Sequence, residues 1–228
     1  MIQLFNPRLI TWPSAVMLGH VSTDMISDEP LLYSASPEFA REFGGPLTQA
    51  ALRKMEECLF QASMLPDGHH WVIDTRSHML MPGQYPAIGG WHCDAVPRAN
   101  YNAQPDLKLL RSDIWHAAVH VSTHPEGVSS TEFLSTPVSI HINPERVWSS
   151  AHESLQQLLK LDDPTGDAVK TPGDGQVVVF NMPTFHRARP AVRRGWRWWM
   201  RASMYYARPI NKIRRHVQVY TSSEGTGW

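Results

Sequence analysis

Several features that would place this chain in a specialised class are missing from its sequence. Of its 228 residues only two are cysteines, Cys58 and Cys93, which excludes a disulfide-rich scaffold and makes a reducing cytoplasm the expected location. Positive and negative charges balance, with 21 Lys and Arg against 21 Asp and Glu. General nucleic-acid binders depend on excess positive charge, so we do not expect a nucleic-acid partner.

Long apolar segments are missing as well. The sequence contains no apolar run of about 18 residues, and residues 1–14 lack a charged-then-apolar leader. We therefore expect a soluble, untargeted protein with no membrane partner. The length suits one domain with a buried core, and nothing in the sequence defines an oligomeric state.

The order of elements can be predicted from apolar spacing. Residues 1–35 are broken by prolines and are expected to form an irregular arm, followed by a helix that starts at Ser36-Pro37-Glu38 and a second helix over residues 47–65. From residue 71 the period changes to two, which predicts strands. We expect these strands at residues 71–80, 88–94, 114–122, 131–134, 138–142, 176–181 and 196–206, with one more helix from residue 149 or 150 to 161.

Short strands with no long helix between most of them favour a mainly β fold with flanking α-helices. An antiparallel barrel or jelly roll with helices packed outside fits this order better than a doubly wound sheet. We divide the single expected domain into an N-terminal arm with helices (1–68), a jelly-roll core (69–206) and a C-terminal tail (207–228).

One short motif, Trp91-His92-Cys93-Asp94, carries candidate chemistry. On an extended strand, His92 and Asp94 would point to the same face, and Cys93 would point away from it. His186 follows the apolar strand 176–181, which could hold it rigidly against this pair. Two imidazoles and one carboxylate form a facial triad that leaves positions on iron(II) open for oxygen chemistry. A His-x-Asp pair also occurs by chance, so the context has to support this interpretation.

Two arginines on the predicted strand 196–206 supply part of that context. Arg197 and Arg201 share one face of this strand, and a buried arginine is costly unless it meets an anion such as a carboxylate. The alternative is that this face is the outer one and that both arginines are solvated. His116 and His120 also share a strand face and offer a competing metal set, although ordinary hydrogen-bonded histidines explain them as well.

These pieces together resemble the iron(II)/2-oxoglutarate-dependent dioxygenases. The matching residues are His92-Cys93-Asp94, His186-Arg187-Ala188-Arg189-Pro190, Gly195-Trp196-Arg197 and Arg201-Ala202-Ser203, within roughly residues 76–206. The resemblance implies a double-stranded β-helix of the jelly-roll, cupin-like type. It also implies His92, Asp94 and His186 as the catalytic iron(II) ligands, with 2-oxoglutarate and O2 as cosubstrates.

Within the resemblance, two arginines remain candidates for the far carboxylate of 2-oxoglutarate. Arg201 with Ser203 looks like the Arg-x-Ser pair of some members, whereas Arg197 has the spacing found in others. We expect Arg201 with Ser203 to bind the cosubstrate, and the other arginine is then available for an acidic substrate group.

The activity that the resemblance implies is hydroxylation with release of succinate and CO2. A small polar substrate, such as an amino acid or a natural-product precursor, is expected, while desaturation and ring closure stay open and Asp94 speaks against a halogenase. Trp91, Arg98, Tyr101 and Asn102 are candidate substrate contacts, the last three in a polar loop over residues 97–111 that also fits a purely solvated role. The alternatives are an oxygenase acting on a nucleobase or a protein side chain, and a non-catalytic cupin-like binding module.

Overall fold

The structure is a computed structural model that describes residues 1–15, 20–60, 68–100, 103–124, 126–162 and 166–221. Within these residues the chain is mainly β, as predicted. The strands are β1 (Ile2–Phe5), β2 (Leu9–Ala15), β3 (Leu31–Tyr33), β4 (His70–Leu80), β5 (Trp115–Ser122), β6 (Thr131–Leu134), β7 (Val138–His141), β8 (Val169–Lys170), β9 (Gln176–Asn181), β10 (His186–Ala188), β11 (Gly195–Tyr205) and β12 (Lys212–Arg214). The helices are α1 (Thr23–Ser27), α2 (Pro37–Phe43), α3 (Pro46–Phe60) and α4 (Val147–Asp162), with a 3-10 turn at Leu107–Leu109.

Two antiparallel sheets form the core of the fold. The large sheet has five strands in the order β2-β9-β5-β11-β4, and the small sheet has three in the order β10-β6-β8. An isolated bridge between His92 and His186 extends the small sheet by one further segment. The large sheet contains β4, β5, β9 and β11, and the small sheet contains His92, β6, β8 and β10. From β4 to β11 the chain therefore alternates between the two sheets, except that β6 and β8 both lie in the small sheet. This alternation is the arrangement of a double-stranded β-helix, in agreement with the expected jelly roll.

The large sheet has an apolar outer face and a polar inner face. On β5, Ala117, Val119 and Val121 belong to the main core cluster together with apolar residues of α1 and α3. On the inner face, Phe180 of β9 meets Phe133 of the small sheet, with ring centroids 5.0 Å apart. The helices therefore pack outside the sheets, and the inner face is left to bound a cavity.

The predicted start of α2 is confirmed. Ser36 caps the helix, because its hydroxyl accepts a hydrogen bond from the Phe39 N–H at 3.2 Å, and Pro37 occupies the first turn. Helix α3 is described as far as Phe60, so the end expected at residue 65 lies outside the described residues. None of the helices in the described part of the chain combines the length and the apolar character needed to cross a membrane.

Two predictions about local structure were wrong. The N-terminal arm is not irregular: β2 pairs with β9 at the edge of the large sheet, where Pro13 and a register shift between Thr11 and Ala15 hide the period of two. Residues 88–94 do not form a strand, because only His92 makes a bridge and the chain bends at Asp94. Within the C-terminal tail, β12 pairs with β3.

Candidate metal centre

The three predicted ligands converge in the structure. One ligand atom from each of His92, Asp94 and His186 lies within 4.8 Å of the others. The two imidazole centroids are 4.6 Å apart, and His186 Nε2 is 3.2 Å from Asp94 Oδ2. Within the described residues this is the one group of three or more His, Cys, Asp or Glu side chains close enough to share a metal ion.

Backbone pairing brings the ligands together although they are far apart in the chain. The His92 N–H donates to the His186 carbonyl at 3.1 Å, and the His186 N–H donates back to the His92 carbonyl at 2.9 Å. Asp94 then follows at a bend, and Ala95 next to it has a φ of 61°, a conformation rare for residues with a Cβ. The bend turns the carboxylate towards the two rings, so convergence does not depend on the extended strand that the sequence suggested.

Backbone carbonyls set the tautomers of both histidines. His92 Nδ1 is 2.8 Å from the Gly90 carbonyl, and His186 Nδ1 is 3.2 Å from the Thr184 carbonyl. Because a carbonyl oxygen only accepts, each Nδ1 carries the proton and each Nε2 presents its lone pair. His186 Nε2 and Asp94 Oδ2 are then two acceptors facing each other. A metal ion between them would satisfy both, so the donor set fits a cation.

The electrostatics of the site favour the protonation states that a metal needs. Burial and, to a smaller extent, the neighbouring His186 lower the pKa of His92 to about 4. Burial alone raises the pKa of Asp94, but the Arg201 guanidinium and His186 outweigh it and hold the pKa well below its usual range. At neutral pH, His92 is therefore neutral and Asp94 is ionised, as metal ligation requires.

A cavity of about 220 Å³ opens over the triad. Besides the three ligands it is lined by cationic, aromatic and small side chains. These are Arg76, His78, Pro86, Ala87, Ile88, Thr131, Ala188, Arg197, Trp199, Arg201 and Tyr220. The inward orientation predicted for Arg197 and Arg201 is thus the one found in the structure.

Arg197 is held rigidly in the cavity wall. Its side chain is 3 % exposed, Nε donates to the Ser129 carbonyl at 2.9 Å, and Nη2 donates to Thr131 Oγ1 at 3.0 Å. Burial lowers the pKa of Arg197 to about 10, which still leaves it charged at neutral pH. A fixed, buried cation of this kind is suited to bind an anion.

Arg201 and Ser203 are placed differently from Arg197. Arg201 Nη1 donates to Asp94 Oδ2, and its Nη2 lies 3.8 Å from Asp74 Oδ2, so this guanidinium already has two carboxylate partners. The Ser203 hydroxyl lies 2.9 Å from His116 Nδ1 and does not line the cavity. The structure therefore brings Arg201 to the triad but does not bring Ser203 to the same site.

Of the four candidate substrate contacts, the two that the structure describes, Trp91 and Arg98, do not line the cavity over the triad. Trp91 is fully buried beneath Arg187, whose guanidinium carbon is 4.5 Å from a Trp91 ring centroid. The exposed Arg98 donates to the Ala103 carbonyl at 3.0 Å. Tyr101 and Asn102 lie outside the described residues. The described mouth of the cavity is formed instead by residues 86–88 and Tyr220.

Several residues that line the cavity were not predicted from the sequence. Two of them, Arg76 and His78, could have been recognised from the pattern of their strand. Asp74, Arg76 and His78 alternate along a predicted strand, so they share a face. A strand of the core with three titratable residues on one face indicates a polar interior. Trp199, Thr131 and Tyr220 left no comparable signal.

His116 and His120 are not a second metal set. Both are buried on the inner face of β5, where His116 faces Ser203 and His120 Nε2 lies 3.7 Å from Asp174 Oδ1. They belong to no group of three close ligands within the described residues. Cys93 is 4 % exposed and packs in the main core cluster, away from the cavity, as expected.

Fold and site together define the class of this protein as a jelly roll that holds a His-Asp-His cluster suited to a metal ion. No protein-family model matches the sequence, and no curated protein matches it. Among solved structures, the chain is similar to an oxidoreductase of the 2OG-Fe(II) oxygenase family from Burkholderia pseudomallei, with 13% identity, a TM-score of 0.34, and coverage of 75% of this chain and 62% of that chain.

Two further similarities are of the same kind. An N-substituted L-amino acid dioxygenase in complex with alpha-KG from Burkholderia ambifaria shares 13% identity, with a TM-score of 0.36 and coverage of 69% of this chain and 64% of that chain. HygX from Streptomyces hygroscopicus, with nickel and 2-oxoglutarate bound, shares 11%, with a TM-score of 0.33 and coverage of 88% and 82%. The chain thus spans less than two thirds of both Burkholderia proteins. With every TM-score below 0.5, the function has to be argued from the site itself.

Proposed function

We propose that the protein is an iron(II)- and 2-oxoglutarate-dependent oxygenase that hydroxylates a small polar substrate, such as an amino acid or a natural-product precursor. The observation that carries this proposal is the His92, Asp94 and His186 cluster, which opens onto the same cavity as a buried arginine. When bound, iron(II), 2-oxoglutarate and O2 supply the oxidation of a substrate C–H bond, with release of succinate and CO2.

The residues of the chain have separate tasks in this proposal. His92 and His186 hold the iron through Nε2, because their Nδ1 protons are bound to backbone carbonyls. Asp94 supplies the anionic ligand, and Arg201 orients its carboxylate from the side. All three ligand side chains line the cavity, so a metal ion held by them would be accessible to a cosubstrate and a substrate bound there.

Arg197 is the better supported partner for the far carboxylate of 2-oxoglutarate. Arg201, preferred from the sequence together with Ser203, is already engaged by Asp94 and Asp74, and Ser203 does not line the cavity. Among the described residues, Arg197 Nη1 has no hydrogen-bond partner, so it can donate to a ligand. Thr131, which fixes Arg197 and also lines the cavity, lies beside it.

The two alternative functions have less support. A non-catalytic binding module would have both arginines in solvent, whereas they line the cavity of the triad. A nucleobase on a polymer or a protein side chain needs a wide entrance. The cavity of about 220 Å³ lies below the roughly 300–1,000 Å³ typical of sites for drug-sized ligands, which favours a small free substrate.

Anaerobic addition of iron(II) and 2-oxoglutarate tests the proposal. We expect a weak visible charge-transfer band in the wild-type protein and no band in His92→Ala. His216→Ala, which removes an exposed histidine, is the matched control and should keep the band. A wild-type protein without the band, or a band that survives in His92→Ala, would contradict the proposed function. Succinate release across amino acids, peptides and nucleosides then identifies the substrate.

A further inference from the structure

Among the described residues, Arg76 is the arginine of the cavity wall that has neither a carboxylate within 4.0 Å nor a hydrogen bond. It lies on β4 opposite Trp199 of β11, and its guanidinium carbon is 5.7 Å from the centroid of the indole ring. Its side chain is partly buried and lines the cavity of the triad. Among the described residues, no carboxylate lies within 4.0 Å of it and no group forms a hydrogen bond with it.

The other two arginines of the cavity do not share this property. Arg201 contacts Asp94 and Asp74, and Arg197 is fixed by Ser129 and Thr131. A guanidinium that is partly removed from water has a desolvation cost, and for Arg76 the charge of Asp74 offsets this cost only in part. In agreement with this cost, burial lowers the pKa of Arg76, and the nearby Arg201 lowers it further. A ligand anion would remove the imbalance.

The position of Arg76 relative to the triad is suited to a substrate. Arg76 and Arg201 both stack on Trp199, at 5.7 and 5.4 Å from its ring centroid, and Arg201 in turn contacts Asp94. An anion at Arg76 is therefore separated from the metal ligands by one aromatic side chain and one guanidinium. A small molecule held there by one end can place its other end over the triad. Stacking on Trp199 also holds the planar guanidinium in one orientation, which suits the fork-like binding of an oxyanion.

We propose that Arg76 binds an oxyanion of the primary substrate, a carboxylate or a phosphate, and thereby makes the enzyme selective for small anionic molecules. The identification of the bound anion as a substrate rests on the proposed function, whereas binding of an anion at Arg76 does not require the metal. In this arrangement Arg197 binds the far carboxylate of 2-oxoglutarate, so the cavity contains two separate anion sites.

Binding of propionate to the metal-free protein tests the site directly. Propionate is a small carboxylate with methyl and methylene signals for saturation-transfer NMR, and propionamide is its uncharged match. We expect propionate to bind more tightly than propionamide in the wild-type protein. Arg76→Gln should weaken propionate binding by about tenfold or more, because a hydrogen bond to a charged group contributes roughly 1.5–3 kcal/mol. Arg76→Lys should lose only part of this affinity, and propionamide binding should stay unchanged in both.

Two variants serve as controls. Arg53→Gln removes an exposed arginine from α3, on the far side of the large sheet, and should bind propionate like the wild type. Arg197→Gln should raise the 2-oxoglutarate concentration needed for the charge-transfer band, whereas Arg76→Gln should not. Equal propionate binding in wild type and Arg76→Gln, or a loss in Arg197→Gln with none in Arg76→Gln, would overturn the proposal.

Inorganic phosphate separates the two oxyanions. If phosphate displaces propionate from the wild type at lower concentration than acetate does, the substrate carries a phosphate; the reverse order indicates a carboxylate. Failure of the charge-transfer band with intact Arg76-dependent propionate binding would reject the iron oxygenase and leave the anion site. A normal band without Arg76-dependent binding would reject the anion site alone. Arg76→Gln should be at least as stable to unfolding as the wild type, because no hydrogen bond or ion pair is lost and the desolvation cost of the guanidinium is removed.

Discussion

On β11, Trp198, Met200 and Ala202 point away from the small sheet and are almost completely buried in the main core, whereas Arg197, Trp199 and Arg201 point into the cavity. The same division runs through the neighbouring strands. On β5, Ala117 and Val119 lie on the outer face of the sheet, in the main core, whereas His116 and His120 lie on the inner face. The same strands thus form the apolar core with their outer face and the cavity over the triad with their inner face.

The comparison shows that the two faces meet different physical demands. The outer face needs only volume and apolar surface, and its stabilisation scales with the area it buries. The inner face has to bury cations and imidazoles partly, which has a desolvation cost. In return, these groups bind a metal and anions with little competition from water. Stability should therefore be most sensitive on one face, and ligand binding on the other.

The largest effect on folding is expected from Trp198→Ala on the outer face. Trp198 is fully buried, and its Nε1 has no hydrogen-bond partner, so the loss is one of packing alone. Removal of such a side chain should lower the free energy of unfolding by roughly 3–5 kcal/mol, measured by urea denaturation. The surviving folded protein should still bind metal with unchanged affinity.

Its neighbour on the inner face provides the matched test. Trp199 is only partly buried and stacks with Arg76 and Arg201. Trp199→Ala should cost less stability than Trp198→Ala but should weaken propionate binding, because both guanidinium groups lose their support. If Trp199→Ala proved the more destabilising of the two, the division between a stabilising and a chemical face would be wrong.

Acid should destabilise the inner face before it affects carboxylates. Burial lowers the pKa values of His78, His116 and His120 to about 3, whereas an unfolded histidine titrates near 6.5. Between these values the unfolded state binds more protons, so the free energy of unfolding should fall as the pH falls from about 6.5 and level off below about 3. Each histidine contributes at most about 2 kcal/mol at pH 5.

Urea denaturation at a series of pH values measures this effect. His116→Asn, which keeps a polar partner for Ser203, should reduce the pH dependence by about one quarter, since His92, with a pKa lowered to about 4, is a fourth histidine that titrates in this range. His216→Gln, at an exposed position, should leave the slope unchanged. Stability that is constant between pH 6.5 and 4.5 would contradict the idea that these histidines are held neutral.

The smallest effect is expected for a charge outside the cavity. Arg146, which directly precedes α4, and Glu153 of α4 form an exposed pair, with N–O distances of 2.9 and 2.7 Å and both side chains about half exposed. Solvent screening makes such pairs weak, so Arg146→Gln should change the free energy of unfolding by less than about 1 kcal/mol, with no change in propionate binding. A larger loss would mean that surface charge, too, supports this fold.

Much of the fold could be predicted because each strand of the core has its own periodicity. The alternation on β5 and β11, and the apolar run of β9, define strands that need no partner to be recognised. β2 escaped prediction because edge strands carry weaker patterns and tolerate proline. The bridge at His92 also escaped, since a single pair of residues has no period to detect.

The site was predictable in its chemistry but not in its geometry. Residue types and their order along the chain were enough to select His92, Asp94 and His186, and the structure brings these together. The preference for Arg201 with Ser203 over Arg197 rested on spacing alone, which cannot tell what else a side chain contacts. The substrate contacts expected in the loop over residues 97–111 remain a prediction for Tyr101 and Asn102, which the structure does not describe.

The sequence by itself determined which residues of each strand share a face, because that property depends only on the pleat of an extended chain. It thereby determined that Arg197 and Arg201 act on the same side, and that two histidines and an aspartate are available as ligands. Only the tertiary structure decided that β4 pairs with β11 in the register that sets Arg76 opposite Trp199, and that His92 bridges to His186. Strand register depends on pairing between distant segments, so no local pattern in the sequence shows that the cavity contains a third arginine, for which the described residues provide neither a hydrogen bond nor a carboxylate within 4.0 Å.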